Sequence, residues 1–320
     1  MRGQIVLTRS GYIENIYDYS YVITQDNNII DSFGDIHQIV SLRSAAKPFL
    51  PVPFFESNSI EKFQLDSKII SLMVSSHNGE KPHRDIIKKY LYENDLTEQD
   101  LHCGTHIPYY EFLYNDFFQE NDPYKRQLFH NCSGKHLFIL LMCRLRGYDL
   151  KDYFMSNHPV FNEIIRELRS NLQFDSNKEF YTGIDGCGVP CFFVSLLSAA
   201  LSYQKFGYDQ KFELIKNAIL QEPFYIAGTY RIESELIKEL HIIVKTGSEG
   251  LVCVSIPEHR MGIALKIESG NDEAAEVAIA ALLSKLNCFT NDEKKILQKR
   301  MTEKIYSSTK IYTGEYTYVE

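Results

Sequence analysis

The sequence has no excess of basic residues and no long hydrophobic run. Its 320 residues carry a formal net charge of −8, so it lacks the basic face typical of nucleic-acid binding and we expect no nucleic-acid partner. No stretch approaches the ~18 consecutive apolar residues of a membrane span, and we expect no membrane partner. The apolar run at the N-terminus is too short for a secretory signal peptide. These absences favour a cytoplasmic protein.

The cysteines form neither a disulfide pattern nor a Cys-x-x-Cys pair. Their number is seven, and an odd count spread through apolar segments is not typical of a disulfide framework. Hydrophobic residues make up 44% of the chain and charged residues 24%, a balance typical of a soluble globular protein with a sizeable core. The sequence has no internal repeat and no low-complexity linker. We therefore predict that residues 1–320 form a single catalytic unit.

The order of predicted elements is strands, helices, strands, helix. This order favours an α+β fold, in which N- and C-terminal strands pair in one antiparallel sheet flanked by helices, around a large helical insertion. We expect a sheet part from 1–50 and 235–320 and a mainly helical part from 51–234. Predicted strands are 4–8, 12–16, 19–25, 28–33, 241–245, 250–255 and 262–267, with a hairpin turn at 25–28. Predicted helices begin near residue 44 and then cover 60–74, 82–93, 110–119, 134–147, 159–172, 191–206, 210–219 and 272–287, and the tail 291–320 is read as a helix followed by an edge strand.

Three short motifs in a fixed order indicate acyl transfer. They are Ser-x-x-Lys at 44–47, Ser-x-Asn at 76–78 and Lys-Thr-Gly at 245–247, the set that penicillin-binding enzymes and β-lactamases use, with the first serine as nucleophile. A serine hydroxyl needs a base to take its proton. Lysine serves as that base only when desolvation or a second cation lowers its pKa, and Lys245 could be the cation beside Lys47. The alternative is that Ser44 caps a helix and Lys47 is a solvated surface charge.

Two further stretches each place a cysteine at or just before the start of an apolar helix. One is 130–136, with Cys132 and Lys135, and the other is 183–190, with Asp185 and Cys187. A helix N-terminus lowers the pKa of a thiol, and thiolates bind metals such as Zn²⁺. The alternative is a pair of buried structural cysteines, which are common for this residue type.

With both sets of motifs in view, the chain resembles the asparaginase II family, the class 3 or Rhizobium-type L-asparaginases. The resemblance spans most of the chain, in the family's order. The matching stretches are Arg43–Phe49, Ser75–Glu80, Cys103–Pro108, His130–His136, Gly183–Pro190, Lys245–Gly250 and Ala264–Ile267.

This resemblance implies a penicillin-binding or serine β-lactamase-like fold, a homodimer, and hydrolysis of L-asparagine to aspartate and ammonia. By the family pattern, catalytic Ser44 pairs with Lys47 and catalytic Ser76 pairs with Lys245. One serine attacks the side-chain amide, its lysine passes the proton to the leaving ammonia, and water then cleaves the acyl-enzyme. The same pattern assigns substrate-binding roles to the following residues: Arg43, His136 and Asp185.

The resemblance also implies a zinc ion on Cys132, Lys135 and Cys187, with Asp185 close by. In this family pattern the zinc assists substrate recognition and does not activate water. A lysine ligand must be neutral, so such a site requires a strongly lowered pKa at Lys135.

Two alternatives to an L-asparaginase stay open on the sequence. The motif trio fits a serine-lysine glutaminase, or a β-lactamase-like amide hydrolase, equally well. The cysteines would also suit a metal- or metabolite-binding protein without turnover, because a retained fold need not retain its activity.

Overall fold

The computed structural model describes residues 3–172 and 181–319. The strands are β1 (Gln4–Arg9), β2 (Tyr12–Tyr17), β3 (Tyr19–Gln25), β4 (Asn28–Phe33), β5 (Ile39–Ser41), β6 (Tyr181–Ile184), β7 (Pro190–Ser195), β8 (Ile243–Thr246), β9 (Leu251–Ile256), β10 (Met261–Ile267), β11 (Thr302–Tyr306) and β12 (Tyr312–Val319).

The helices lie mostly between β5 and β8. The α-helices are α1 (Val52–Phe55), α2 (Ser59–Phe63), α3 (Ser67–Met73), α4 (Lys81–Tyr92), α5 (Tyr114–Gln119), α6 (Pro123–Arg126), α7 (Ser133–Arg146), α8 (Pro159–Asn171), α9 (Leu196–Tyr208), α10 (Glu213–Gln221), α11 (Pro223–Ile226), α12 (Ile232–Leu240), α13 (Asp272–Ser284) and α14 (Asn291–Arg300). Short 3₁₀ helices cover Arg43–Phe49, Glu98–Asp100, Glu111–Leu113, Gln127–Phe129, Gln210–Phe212 and Pro257–His259.

The N- and C-terminal strands pair with one another, as predicted, but in two antiparallel sheets. One sheet has the order β11-β12-β1-β2, and the other has the order β4-β3-β10-β9-β8. The expectation of one sheet is therefore wrong. The chain passes from the first sheet to the second at Asp18, whose carbonyl oxygen accepts a hydrogen bond of 2.9 Å from Glu268 N. Helices α9 and α13 pack against the five-stranded sheet, and the α+β class is confirmed.

A third sheet, in the order β5-β7-β6, was not predicted. The first five residues of the predicted helix 191–206 are in fact part of strand β7. Its Phe-Phe-Val run favours a strand, and Ser195 then begins α9 by accepting a hydrogen bond of 3.0 Å from Ser198 N. Strands β5 and β7 fall on opposite sides of the proposed boundary at residue 50, so this sheet joins the two predicted parts. The division into a sheet part and a helical part stays a prediction.

Local turn chemistry explains the other differences. The predicted turn at 25–28 is confirmed, since Asp26 and Asn27 adopt φ of 48° and 63° between β3 and β4, as a two-residue hairpin turn requires. The predicted helix 60–74 is split, because Gln64 adopts φ of 52° and Asp66 caps α3 by accepting a hydrogen bond from Ile69 N. In the tail, β12 pairs with β1, so β11 is the edge strand.

An aromatic cluster fixes the 3₁₀ helix that carries the first motif. The ring of Phe49 packs edge-on against Tyr203, Phe206 and Phe212, with centroids 5.5, 5.5 and 5.6 Å away. The hydroxyl of Tyr203 also donates a hydrogen bond of 2.8 Å to the carbonyl oxygen of Ala45. Helix α9 thus holds the segment on which Ser44 and Lys47 lie. Among the helices of the described ranges, none is both long and apolar enough to span a bilayer.

Candidate active site

The hydroxyl of Ser76 lies between two lysine amines. Its Oγ is 3.1 Å from Lys47 Nζ and 2.9 Å from Lys245 Nζ. Lys47 also donates to the carbonyl oxygens of Ser75, at 2.5 Å, and Asn131, at 3.3 Å. The three motifs therefore meet at Ser76, and a nucleophile and two possible bases lie within hydrogen-bonding reach.

The loop after α3 holds Ser76 through its backbone. Ser76 N donates to the carbonyl oxygen of Ile226 at 2.9 Å, and Asn78 N donates to that of Ala227 at 2.8 Å. Gly79 closes the loop with φ of 78°, and a Cβ there would lie 2.6 Å from the carbonyl oxygen of Phe129. The position requires glycine both for its dihedral and for the close backbone approach.

Ser44 lies at the same cavity but in a different environment. Within the described part of the chain its hydroxyl has no hydrogen-bond partner, and no hydrogen bond joins it to Lys47. Its side chain is buried apart from its contact with the cavity that Ser76 also lines. The structure thus brings Ser44, Ser76, Lys47 and Lys245 together, while the amine of Lys47 bonds Ser76 rather than Ser44.

Burial sets the protonation of the two lysines. Both are 1% exposed, and burial lowers the pKa of Lys47. Burial likewise lowers the pKa of Lys245 to about 7, Glu233 opposes this shift, and the charges of Lys47 and Arg231 add to it. A lysine with a pKa near neutrality serves as a base at physiological pH.

Glu233 is a buried carboxylate beside Lys245 that the motif analysis missed. It is fully buried, and its Oε1 lies 3.7 Å from Lys245 Nζ and 3.0 Å from Arg231 Nη2. Thr246 Oγ1 donates to the same oxygen at 2.5 Å. Although burial raises the pKa of Glu233, the charges of Arg231 and Lys245 and the bond from Thr246 lower it to about 2.

A signal for Glu233 was present in the sequence. Leu236, Ile237 and Leu240 follow it at i+3, i+4 and i+7 on α12, so Glu233 heads the apolar stripe of an amphipathic helix. A carboxylate on that stripe is buried and needs a cationic partner.

A second cluster joins Cys132, Lys135, Asp185 and Cys187. The two sulfurs and a carboxylate oxygen of Asp185 lie within 4.8 Å of one another, and all three side chains are buried. Lys135 Nζ is 2.8 Å from Asp185 Oδ2, and Arg43 Nε is 2.5 Å from Asp185 Oδ1. Asp185 thus connects the predicted metal ligands to the predicted substrate-binding arginine.

The donor set of this cluster fits a zinc ion. Two sulfurs and one carboxylate are ligands that Zn²⁺ accepts, and a hydrogen bond from Cys187 together with the charges of Lys135 and Lys47 lowers the pKa of Cys132 well below its usual value. Burial lowers the pKa of Lys135, but Cys132, Cys187 and Asp185 raise it further, and the net pKa is well above its ordinary value. Lys135 would therefore have to lose a proton before it became a ligand.

His136 lies behind this cluster and does not line the cavity. The side chain is fully buried, and its Nδ1 forms a hydrogen bond of 2.6 Å with the hydroxyl of Tyr153. Burial lowers the pKa of His136 well below its usual value, so the ring is neutral. From this position it contacts neighbouring side chains and would influence a substrate through them.

The cavity at the two serines has a volume of about 630 Å³. This is within the range of pockets that hold small-molecule ligands. Its wall includes Tyr109, Asn131 and Arg231 near the serines. The arrangement provides a hydroxyl as nucleophile, two lysine amines with different surroundings and a cavity for a substrate. These are the groups that acyl transfer to a serine requires.

The family model described as L-asparaginase II matches residues 5–318. No curated protein matches the chain in sequence.

Structural comparison also matches the chain to solved penicillin-binding and glutaminase proteins. Mglu in its native form is 12% identical, with a TM-score of 0.40, over 86% of this chain and 66% of that one. The octameric penicillin-binding protein homologue from Pyrococcus abyssi is 15% identical, with a TM-score of 0.39, over 83% and 73%. The Bacillus subtilis glutaminase YbgJ, solved as a covalent complex with 5-oxo-L-norleucine, is 13% identical, with a TM-score of 0.37, over 88% and 87%.

Proposed function

The chain belongs to the L-asparaginase II family, and we propose that it hydrolyses L-asparagine to L-aspartate and ammonia. As a member of this family it is an amidohydrolase. The observation that carries the proposal is the position of Ser76, whose hydroxyl lies 3.1 and 2.9 Å from two buried lysine amines beside a cavity.

In the proposed reaction Ser76 is the nucleophile and Lys245 is its base. Lys245 accepts the hydroxyl proton as Ser76 Oγ forms an ester bond with the acyl carbon of the side-chain amide. The carbon–nitrogen bond breaks, and the proton passes to the leaving ammonia. Water then cleaves the ester and restores Ser76. Lys47 donates a hydrogen bond to Ser76 Oγ throughout.

The order of the motifs favours Ser44 as nucleophile instead. Its hydroxyl lines the same cavity, and Ser76 would then carry a proton between the two lysines. Trapping the acyl-enzyme and locating the adduct by peptide mass spectrometry separates the two assignments. An adduct on the peptide that contains Ser44 would contradict Ser76 as nucleophile.

The charged groups around Asp185 would bind the amino-acid end of asparagine. The Arg43 side chain is 32% exposed while Asp185 is 6% exposed, so the guanidinium is the part of this cluster that a solute reaches first. We propose that Arg43 meets the substrate carboxylate and Asp185 the substrate ammonium group. A zinc ion held by Cys132, Cys187 and Asp185, with Lys135 as a further ligand after deprotonation, would add a positive charge that helps to fix this end. His136 would support the cluster from behind.

The resemblance further supports a homodimer that acts in the cytoplasm, and both belong to the proposal. Light scattering during size-exclusion chromatography checks the dimer, since a monomer at micromolar concentration would contradict it.

The decisive experiment measures ammonia release by the purified protein. Asparagine, glutamine and a chromogenic β-lactam are compared side by side, and we expect asparagine to be the preferred substrate. Ser76→Ala should reduce kcat by a factor of about 10³ or more. Ser71→Ala is the matched control, because Ser71 is a buried serine on α3 that bonds the carbonyl oxygen of Glu222. A fully active Ser76→Ala variant, or no turnover of asparagine, would refute the proposal.

A further inference from the structure

The cavity at the two serines continues along a charged wall that asparagine hydrolysis does not use. The leaving group of asparagine is only ammonia. The cavity measures about 630 Å³, a volume typical of sites that hold drug-sized ligands. We call this part the acidic wall. Its charged members are Asp272, Glu273, Glu276, Glu303, Arg231 and Arg300.

Both arginines of the acidic wall are already neutralised by carboxylates outside it. Arg231 Nη2 is 3.0 Å from Glu233 Oε1, and Arg300 forms an ion pair with Glu235. Neither Glu233 nor Glu235 lines the cavity. Each arginine is therefore shared between a carboxylate outside the wall and the nearby Glu276, whose pKa both arginines lower.

The carboxylates of the wall lack such partners. Asp272 Oδ1 accepts a hydrogen bond of 2.7 Å from Gly250 N. In the ranges that the structure describes, the side chains of Glu273, Glu276 and Glu303 form no hydrogen bond or ion pair. The wall thus holds four carboxyl groups against two arginines that already pair with carboxylates outside it, and a ligand with a positive charge would complement it.

Glu276 lies on α13 and is half-buried, whereas Glu273 on the same helix is exposed. Burial and the nearby Glu233 raise the pKa of Glu276 to about 8, although Arg231 and Arg300 lower it. Glu276 is therefore largely protonated at neutral pH, and a cation placed beside it would favour its ionised form.

The acidic wall begins next to the proposed nucleophile. Arg231 Nη1 donates a hydrogen bond of 3.3 Å to the backbone oxygen of Ser76, and its guanidinium lies 5.6 Å from the ring centroid of Tyr109. Arg43 and Asp185, which we propose to hold the amino-acid end, are not among the residues that line this cavity. Because the acidic wall lines the cavity of Ser76 and the proposed amino-acid site does not, we assign the wall to the leaving amine.

We propose that this enzyme also cleaves side-chain amides of aspartate whose leaving amine carries a second, positively charged group. The inference rests on the proposed function, because it uses the same nucleophile and the same site for the amino-acid end. Ser76 Oγ forms the ester, the carbon–nitrogen bond breaks, and the amine leaves with the proton that Ser76 gave up. Water then releases aspartate. The acidic wall holds the distant ammonium group of the leaving amine.

The test compares two synthetic amides of equal length. In one the side-chain nitrogen of asparagine carries an aminobutyl group, and in the other it carries a neutral hydroxybutyl group. We expect kcat/KM for the cationic amide to exceed that for the neutral one by about tenfold or more, the size of one charge-assisted hydrogen bond. Glu276→Gln should reduce this ratio by about tenfold, and the double variant Glu273→Gln/Glu303→Gln should reduce it independently. Glu258→Gln, an exposed acid outside the cavity, is the matched control and should keep the ratio.

The outcomes separate this inference from the proposed function. If asparagine is hydrolysed but neither amide is cleaved, or both are cleaved equally, the inference is overturned and the proposed function stands. If asparagine is not hydrolysed, the proposed function fails. Calorimetric titration with a linear diaminobutane then tests whether the acidic wall binds a cationic amine. Binding that Glu276→Gln weakens about tenfold supports a cation site there, and absence of binding overturns it.

Discussion

Replacing Glu233 by Gln should move the acid limb of the pH profile of asparagine hydrolysis to lower pH. Glu233 raises the pKa of Lys245, which burial, Lys47 and Arg231 together bring down to about 7. Lys245 acts as a base only when neutral, so the wild-type kcat/KM should fall as the pH drops through about 7. Removing the charge of Glu233 lowers the pKa of Lys245 further. The neutral amine then persists at a lower pH.

The size of the shift follows from the distance between the two groups. Glu233 Oε1 and Lys245 Nζ are 3.7 Å apart, and at an effective dielectric constant of about 20 two unit charges at that distance interact by ~4.5 kcal/mol. This corresponds to roughly three pKa units and is a ceiling, because side chains and water relax after the substitution. We therefore expect the acid limb to move by at least about one pH unit, even if only a third of that interaction is lost.

The assay is the initial rate of ammonia release from about pH 5 to about pH 9. Glutamine retains an oxygen that accepts the hydrogen bond from Thr246, which limits the change to the charge. Glu239→Gln is the matched control, because Glu239 lies on the same helix but pairs with Lys238 at the surface. A limb that stays in place in folded Glu233→Gln, or moves to higher pH, would refute Lys245 as the titrating base.

Three further variants test other parts of the site. Asp185→Asn should lower the free energy of unfolding by about 3–5 kcal/mol, because it leaves the buried ammonium of Lys135 without its partner. Urea denaturation measures this loss of stability. The double variant Asp185→Asn/Lys135→Met should recover most of the loss. If the single variant is as stable as the wild type, Lys135 does not depend on Asp185. Cys187→Ser should lower the zinc content of protein dialysed against zinc, as metal analysis will show, and an unchanged content would exclude this sulfur as a ligand. Phe49→Ala should cost about 3–5 kcal/mol of unfolding free energy and also reduce kcat, since the ring anchors the 3₁₀ helix of Ser44 and Lys47. Calorimetry measures the stability and the ammonia assay measures kcat. An intact kcat in a folded variant would contradict this anchoring.

Local sequence signals predicted much of the fold. The turn at Asp26 and Asn27 and the helix α13 followed from residue types that act over a few positions. Errors arose where two signals overlapped. Residues 190–201 are apolar except for Ser195 and Ser198, and periodicity alone does not show where a buried strand ends and a helix begins. The boundary is set by the capping hydroxyl of Ser195. The apolar residues on both sides of Ser195 give no signal of this boundary.

The candidate site was only partly predictable for a different reason. The motif order indicated which segments meet, but the choice of hydrogen-bond partner depends on contacts distant in sequence. Lys47 turns to Ser76 because carbonyl oxygens of Ser75 and Asn131 also accept its hydrogen bonds. Spacing within 44–47 contains no information about those two atoms. Glu233 was missed because an acid in a helix is usually exposed. Only the apolar stripe that follows it on α12 indicates that Glu233 is buried.

The contacts of Ser76 imply different roles for the two lysines. One hydroxyl has one proton, so Ser76 can donate to only one amine, and the other amine must donate to its oxygen. A protonated Lys47 has three N–H groups, and three acceptors surround it, namely the oxygens of Ser75, Asn131 and Ser76. Lys245, with a pKa of about 7, is then the amine that accepts the proton. The same charge on Lys47 would favour the nascent alkoxide of Ser76 and would also lower the pKa of Lys245. Replacing Lys47 should therefore slow the attack and, unlike Glu233→Gln, move the acid limb to higher pH.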